Sequence, residues 1–144
     1  IDFPREGNGW SYQHARRQWN LADDNLLQYA GLNRFDRDMI HLVENEKLLD
    51  FMPEKIWEDN NDKILAYRRG NCIFVYNFHP FKSFEDYEIP CVKDKYKILL
   101  NSDSPLYNGF GNVDESVVYN AFAEKGRRFL KMYLPSRTVL VLGV

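Results

Sequence analysis

The side chains able to do chemistry are few, and their spacing is loose. Adjacent carboxylates occur at Asp23-Asp24 and Asp114-Glu115. Acid–base work by a carboxyl pair needs the two groups held on opposite sides of a bound substrate in a cleft. Here the first pair suits the N-terminal end of a helix, and the second an exposed turn. His14, His41 and His79 are scattered, without the Cys or carboxylate partners of a metal site. His41 is expected on the polar side of a helix, and His79, just before Pro80, in a turn. Ser11, Ser102 and Ser104 lack a nucleophile-elbow context. Cys72 and Cys91 are too few for a disulfide framework or a zinc site, so two free thiols are expected. The expectation is no catalytic residue, no metal and no cofactor. Binding chemistry remains. Arg5, Trp10, Tyr12 and Trp19 fall within the first twenty residues. A guanidinium can donate several hydrogen bonds at once, and an aromatic ring offers a flat apolar face for stacking. The competing role for Trp10 and Trp19 is to anchor a long loop.

Composition narrows the classes. The 144 residues carry 19 Lys+Arg against 21 Asp+Glu, a net charge of −2. Residues 1–50 sum to −3 and the remainder to +1, so neither part offers the basic face of a nucleic-acid binder. The longest apolar stretches, Cys72–Tyr76 and Val139–Val144, are too short for a membrane-spanning helix. Hydrophobic residues at 44% and charged residues at 28% are globular values. Aromatics reach 15%, a surplus that core packing and sugar stacking both use.

The elements that would position these groups change character near residue 52. Residues 1–20 read as an extended loop. They begin with Ile1, with neither an initiator Met nor the charged and apolar regions of a signal peptide, as the middle of a longer chain would. Leu27, Leu32, Phe35, Met39, Leu42 and Val43 recur at helical period, which predicts a helix over 24–44, with Gly31 as its weak point. A short helical turn is expected at 47–50. Beyond Pro53 the period becomes two and turn signals recur about every ten residues. Strands are predicted at 55–58, 64–69, 72–77, 84–89, 96–101, 118–123, 129–134 and 138–144. Gly70-Asn71 is a two-residue hairpin signal. Cys72–Tyr76, apolar throughout, predicts a central strand covered on both faces. The expected fold is mainly β: a C-terminal antiparallel Greek-key β-sandwich preceded by a long amphipathic helix and loop. A stripe as wide as the helix's must bury against something, either the sandwich or a partner outside residues 1–144.

Several strings carry a resemblance. Ile1-Asp2-Phe3-Pro4-Arg5-Glu6-Gly7-Asn8, Trp10-Ser11-Tyr12, Ala15-Arg16-Arg17-Gln18-Trp19 and Leu21-Ala22-Asp23-Asp24 open it. It continues through Leu32 to Met39, Asn77-Phe78-His79-Pro80, Asn101-Ser102-Asp103-Ser104 and Tyr133-Leu134-Pro135-Ser136-Arg137. In this order they resemble 1,4-α-glucan (glycogen) branching enzymes, members of the α-amylase superfamily. Asn101 stands where that family often has Asp, and Tyr107-Asn108-Gly109 where a Gly-Gly pair is common.

The resemblance implies a C-terminal region of a longer enzyme. Residues 1–50 would be the end of a catalytic (β/α)₈ barrel, comprising a loop, the last helix and a connector. Residues 52–144 would be the all-β C-terminal domain. It also implies retaining glycosyl transfer that forms α-1,6 branches, using carboxylates from barrel strands that have no matching position here. The expected partners are α-glucan (glycogen or amylose) through the parent enzyme, the catalytic barrel itself and a second copy of this chain, with neither nucleic acid nor membrane. The expected setting is cytoplasmic. Arg5, Trp10, Tyr12 and Trp19 are the glucan-binding candidates. The alternative is a free-standing glucan-binding β-sandwich module. The helix argues against that alternative, because a complete module should not leave such a stripe without a partner.

Overall fold

The computed structural model describes residues 20–24 and 26–144. A short helix α1 (Asn20–Asp23) precedes α2 (Tyr29–Asn45), and nine strands follow. These are β1 (Glu54–Asp59), β2 (Ile64–Arg69), β3 (Cys72–Asn77), β4 (Phe84–Cys91), β5 (Lys95–Asn101), β6 (Val118–Asn120), β7 (Phe122–Glu124), β8 (Arg127–Leu134) and β9 (Thr138–Gly143). They build a six-stranded sheet in the order β1-β2-β3-β9-β5-β6 and a three-stranded sheet in the order β4-β8-β7. Every pairing is antiparallel. The chain changes sheet after β3, β4, β6 and β8, and β9 inserts between β3 and β5. This non-sequential placement is the Greek-key device.

The packing has three layers. Alternate residues of the strands meet between the sheets, where Ile64, Ile73, Val75, Ile89, Leu130 and Leu140 form one core. The other face of the six-stranded sheet supplies Cys72, Phe74, Leu100 and Val141, which pack with Leu42 of α2 and Leu48. β3 is therefore covered on both faces, as its uninterrupted apolar run requires. Leu48 opens a 3₁₀ turn over Leu48–Asp50, which follows Lys47 in the left-handed region (φ 49°). That conformation ends α2 and turns the chain back onto the sheet.

The helix start, the run 118–123 and the end of β4 differ from the sequence reading for local reasons, and other element ends shift by one or two residues. The helix begins at Tyr29 rather than at residue 24. The Asp24 carboxylate accepts the Leu26 amide (2.9 Å) and its carbonyl the Leu27 amide (3.1 Å), which closes a separate turn ahead of the helix. The run 118–123 is not one strand. β6 pairs with β5 and β7 with β8, and the chain crosses between the sheets at Ala121, whose amide donates to the Asp94 carbonyl (2.8 Å). The strand predicted at 84–89 runs on to Cys91 through Pro90, which is tolerated because β4 is an edge strand. The Gly70-Asn71 hairpin forms as expected, with Arg69 opposite Cys72 and Gly70 at φ +60°.

The predicted helical stripe divides in two. Leu42 is buried, while Phe35 and Val43 are half-buried against the sheet side. Leu32 is 63% and Met39 39% exposed. Among the described residues no helix is long and apolar enough to cross a membrane.

Candidate functional site

The loop after β5 is built around two buried polar side chains. Asn101 accepts the Asp103 amide on Oδ1 (2.9 Å) and donates through Nδ2 to Glu115 Oε1 (3.0 Å). Asp103, only 6% exposed, accepts the Phe110 amide on one carboxylate oxygen (3.0 Å) and the Asn112 amide on the other (2.7 Å). Its carbonyl accepts the Gly111 amide (2.7 Å). A buried carboxylate is tolerated when its lone pairs are filled, and these bonds close the loop over residues 103–112. Gly109 is required there, since a Cβ would run into the Asp103 carbonyl.

The same loop seats α2. Gly31 is buried where the helix meets the Tyr107–Asn108 backbone, and a Cβ would lie 2.9 Å from the Tyr107 carbonyl carbon. Arg34 Nη1 donates to the Leu106 carbonyl (2.9 Å), the Tyr107 hydroxyl to Asp38 Oδ2 (2.9 Å) and Asn108 Nδ2 to the Gln28 carbonyl (3.2 Å). Phe35 and Tyr107 meet edge to face, with centroids 5.2 Å apart. Partial burial, and then the hydrogen bond to Asp38, push the Tyr107 hydroxyl up to about 12.

A second polar hub joins neighbouring loops. Asn77 Nδ2 faces the carbonyls of Lys82 (3.0 Å), Leu134 (3.1 Å) and Pro135 (2.9 Å), and its Oδ1 accepts the His79 amide (2.9 Å). Ser83 Oγ accepts the Ser136 amide (3.0 Å), and Ser102 Oγ accepts the Val139 amide (2.9 Å). The three strings around Asn77, Asn101 and Pro135, distant in sequence, thus converge at one end of the sandwich. Between them and the start of α2 lies a recess of about 420 Å³, lined among others by Gln28, Ser102, Asp103, Phe110, Asn112 and Arg137.

The groups singled out in the sequence divide as follows. Arg5, Trp10, Tyr12 and Trp19 lie outside the described residues, as do His14 and Ser11. His41 is exposed on α2. His79 Nδ1 accepts the amides of Phe81 (3.2 Å) and Lys82 (2.8 Å), which closes a turn. Asp114 and Glu115 are used separately: Glu115 holds Asn101, while bonds from the Ser116 hydroxyl and amide keep the Asp114 carboxyl below its usual range. Cys72 and Cys91 are free thiols. Burial raises Cys72 to about 11, helped by Glu46, and burial raises Cys91 against the opposing pull of Arg128. Among the described residues no three His, Cys, Asp or Glu side chains gather as a metal site. Asp103 and Asn77 escaped the sequence reading as structural hubs. Their signal was an Asx residue at or just past the end of an apolar strand, with Pro two or three positions on.

Comparison with known proteins accords with this architecture. Residues 56–144 match the family model described as "Alpha amylase, C-terminal all-beta domain". Over 99% of its length the chain is 42% identical to a 1,4-alpha-glucan-branching enzyme of Rhizophagus irregularis, covering 22% of that protein. It is 39% identical over its whole length to the 1,4-alpha-glucan-branching enzyme of Saccharomyces cerevisiae, covering 21%. Over 81% of the chain it is 41% identical to a chloroplastic/amyloplastic 1,4-alpha-glucan-branching enzyme of Oryza sativa, covering 14%. The chain thus spans at most 22% of these relatives' length.

Proposed function

We propose that this chain, which belongs to the family of alpha-amylase C-terminal all-beta domains, serves as a non-catalytic, orienting part of a 1,4-α-glucan branching enzyme. The observation that carries the reading is the divided surface of α2. One stripe of the helix is held by the sandwich, while Leu32, Met39 and Ile40 stand exposed on another. Contiguous apolar patches of several hundred Å² seldom face water on a soluble monomer. In this reading residues 1–50 form the end of the catalytic barrel, residues 52–144 the all-β domain, and the open stripe packs on the barrel. The isolated chain would cover that stripe by self-association.

Retaining transfer needs a nucleophile and an acid on either side of one glycosidic bond, and positioning alone supplies about 7–11 kcal/mol of the barrier. The adjacent acids hold local structure instead: Asp24 and Asp114 close turns and Glu115 holds Asn101, so in this reading the catalytic carboxylates belong to the barrel. Arg5, Trp10, Tyr12 and Trp19 contribute glucan contacts near the cleft rim. The setting is cytoplasmic, where glycogen is made. The test is iodine-stain and debranching analysis of amylose incubated with the purified chain. No new α-1,6 branch points are expected. Branching abolished by mutating an acid within residues 1–144 would overturn the reading.

A further inference from the structure

We infer that the recess between the 102–112 loop and the start of β9 is a binding subsite for an α-1,4-glucan chain, with Phe110 as its stacking face and Arg137 as its principal donor. The choice of glucan rests on the function proposed above. The geometry of the site stands by itself. A volume of about 420 Å³ falls within the range of about 300–1,000 Å³ usual for small-ligand sites.

The walls are preorganised. Asp103 holds the amides of Phe110 and Asn112, so the loop that presents the Phe110 ring is pinned on both sides of it. The ring itself is 84% exposed, and an uncovered aromatic face beside polar groups matches the apolar face and hydroxyl edge of a pyranose. Arg137, exposed and held at φ +55°, has no side-chain partner among the described residues. Its five N–H donors are free for hydroxyl oxygens. Ser102 uses its oxygen to accept the Val139 amide, which leaves the hydroxyl proton to donate.

The charge pattern selects a neutral polyol. Among the described residues the only carboxylate in the lining, Asp103, already accepts a backbone amide on each oxygen and offers little to a cation. An anion would meet a single guanidinium. The recess also adjoins Gln28, just ahead of α2.

The experiment titrates the 144-residue chain with maltoheptaose by calorimetry, with inorganic phosphate as a second probe. Phe110→Ala and Arg137→Ala should each weaken maltoheptaose binding at least tenfold without moving the urea midpoint. Phe110→Tyr should retain it, and Met52→Ala, a surface change elsewhere, should not matter. Three results would overturn the subsite: no maltoheptaose binding, affinity within twofold of the parent chain in both alanine variants, or phosphate binding at Arg137 in place of sugar. Each of these leaves the non-catalytic reading intact, because that reading requires only that the chain form no branches. Branch formation by the chain would overturn that reading while leaving the affinity data at Phe110 and Arg137 to be judged separately.

Discussion

The two faces of the six-stranded sheet are held by different physics. The inner face meets the three-stranded sheet through a continuous apolar layer in which Ile73, Val75, Leu130 and Leu140 are fully buried. The outer face meets α2 through a smaller apolar contact around Leu42 and Leu48, supplemented by Arg34, Tyr107 and Asn108 hydrogen-bonding across the junction. Apolar burial is non-directional and scales with area, so the inner interface tolerates changes in detail but not loss of volume. The outer interface depends on a few groups at fixed distances and should be separable from the sandwich. A single cooperative unit would behave otherwise, and three substitutions discriminate.

The largest effect belongs to the inner layer. Leu130→Ala should cost about 2–5 kcal/mol, the transfer loss plus the cavity, and should lower the urea midpoint of the whole domain. A loss below about 1 kcal/mol would mean that the sheets are not the main source of stability.

Gly31→Ala should come next. Alanine is the better helix former by about 1 kcal/mol, yet its Cβ would strike the Asn108 side chain and the Tyr107 backbone. Overpacking of this kind costs about 1–3 kcal/mol, so the net effect should be destabilising. Hydrogen exchange should rise in α2 while the strands stay protected. If the strands lose protection equally, the two interfaces are coupled and the comparison fails.

The smallest effect is expected from Tyr107→Phe, which removes one hydrogen bond to Asp38, worth about 1 kcal/mol. It also carries a pH signature. The Tyr107 hydroxyl titrates near 12 in the fold against 10.0 for a free tyrosine. A raised folded value means that its contribution is complete below pH 10 and is lost as pH rises towards 12. The phenylalanine variant should therefore show a smaller alkaline loss of helical signal over that window. Identical alkaline curves would remove Tyr107 from the junction.

Much of the sandwich was legible in advance because strand alternation is local. β2 and β3 carry their predicted bounds, and the Gly70-Asn71 turn lies between them, since the period, the turn residues and the all-apolar run agree. The break at Ala121 was not legible. Residues 118–123 are compatible with one strand, and only their partners, β5 on one side and β8 on the other, divide them. The start of α2 was hidden by Asp24, whose residue type suits a helix start but whose carboxylate instead closes a turn with Leu26.

The glucan-binding candidates taken from the sequence all lie in residues 1–19, while the recess is assembled from parts more than a hundred positions apart, Gln28 and Arg137 among them. By itself the sequence determined the β-rich class, the position of the central strand and the family resemblance, because each depends on residue order and local period. The division of the helix into a covered and an open stripe, the commitment of Asp103 to two amides and the meeting of three distant strings at one end of the sandwich were decided only by tertiary structure. A period of 3.6 says which residues share a helix face, but how much of that face is covered depends on the shape of the surface it meets.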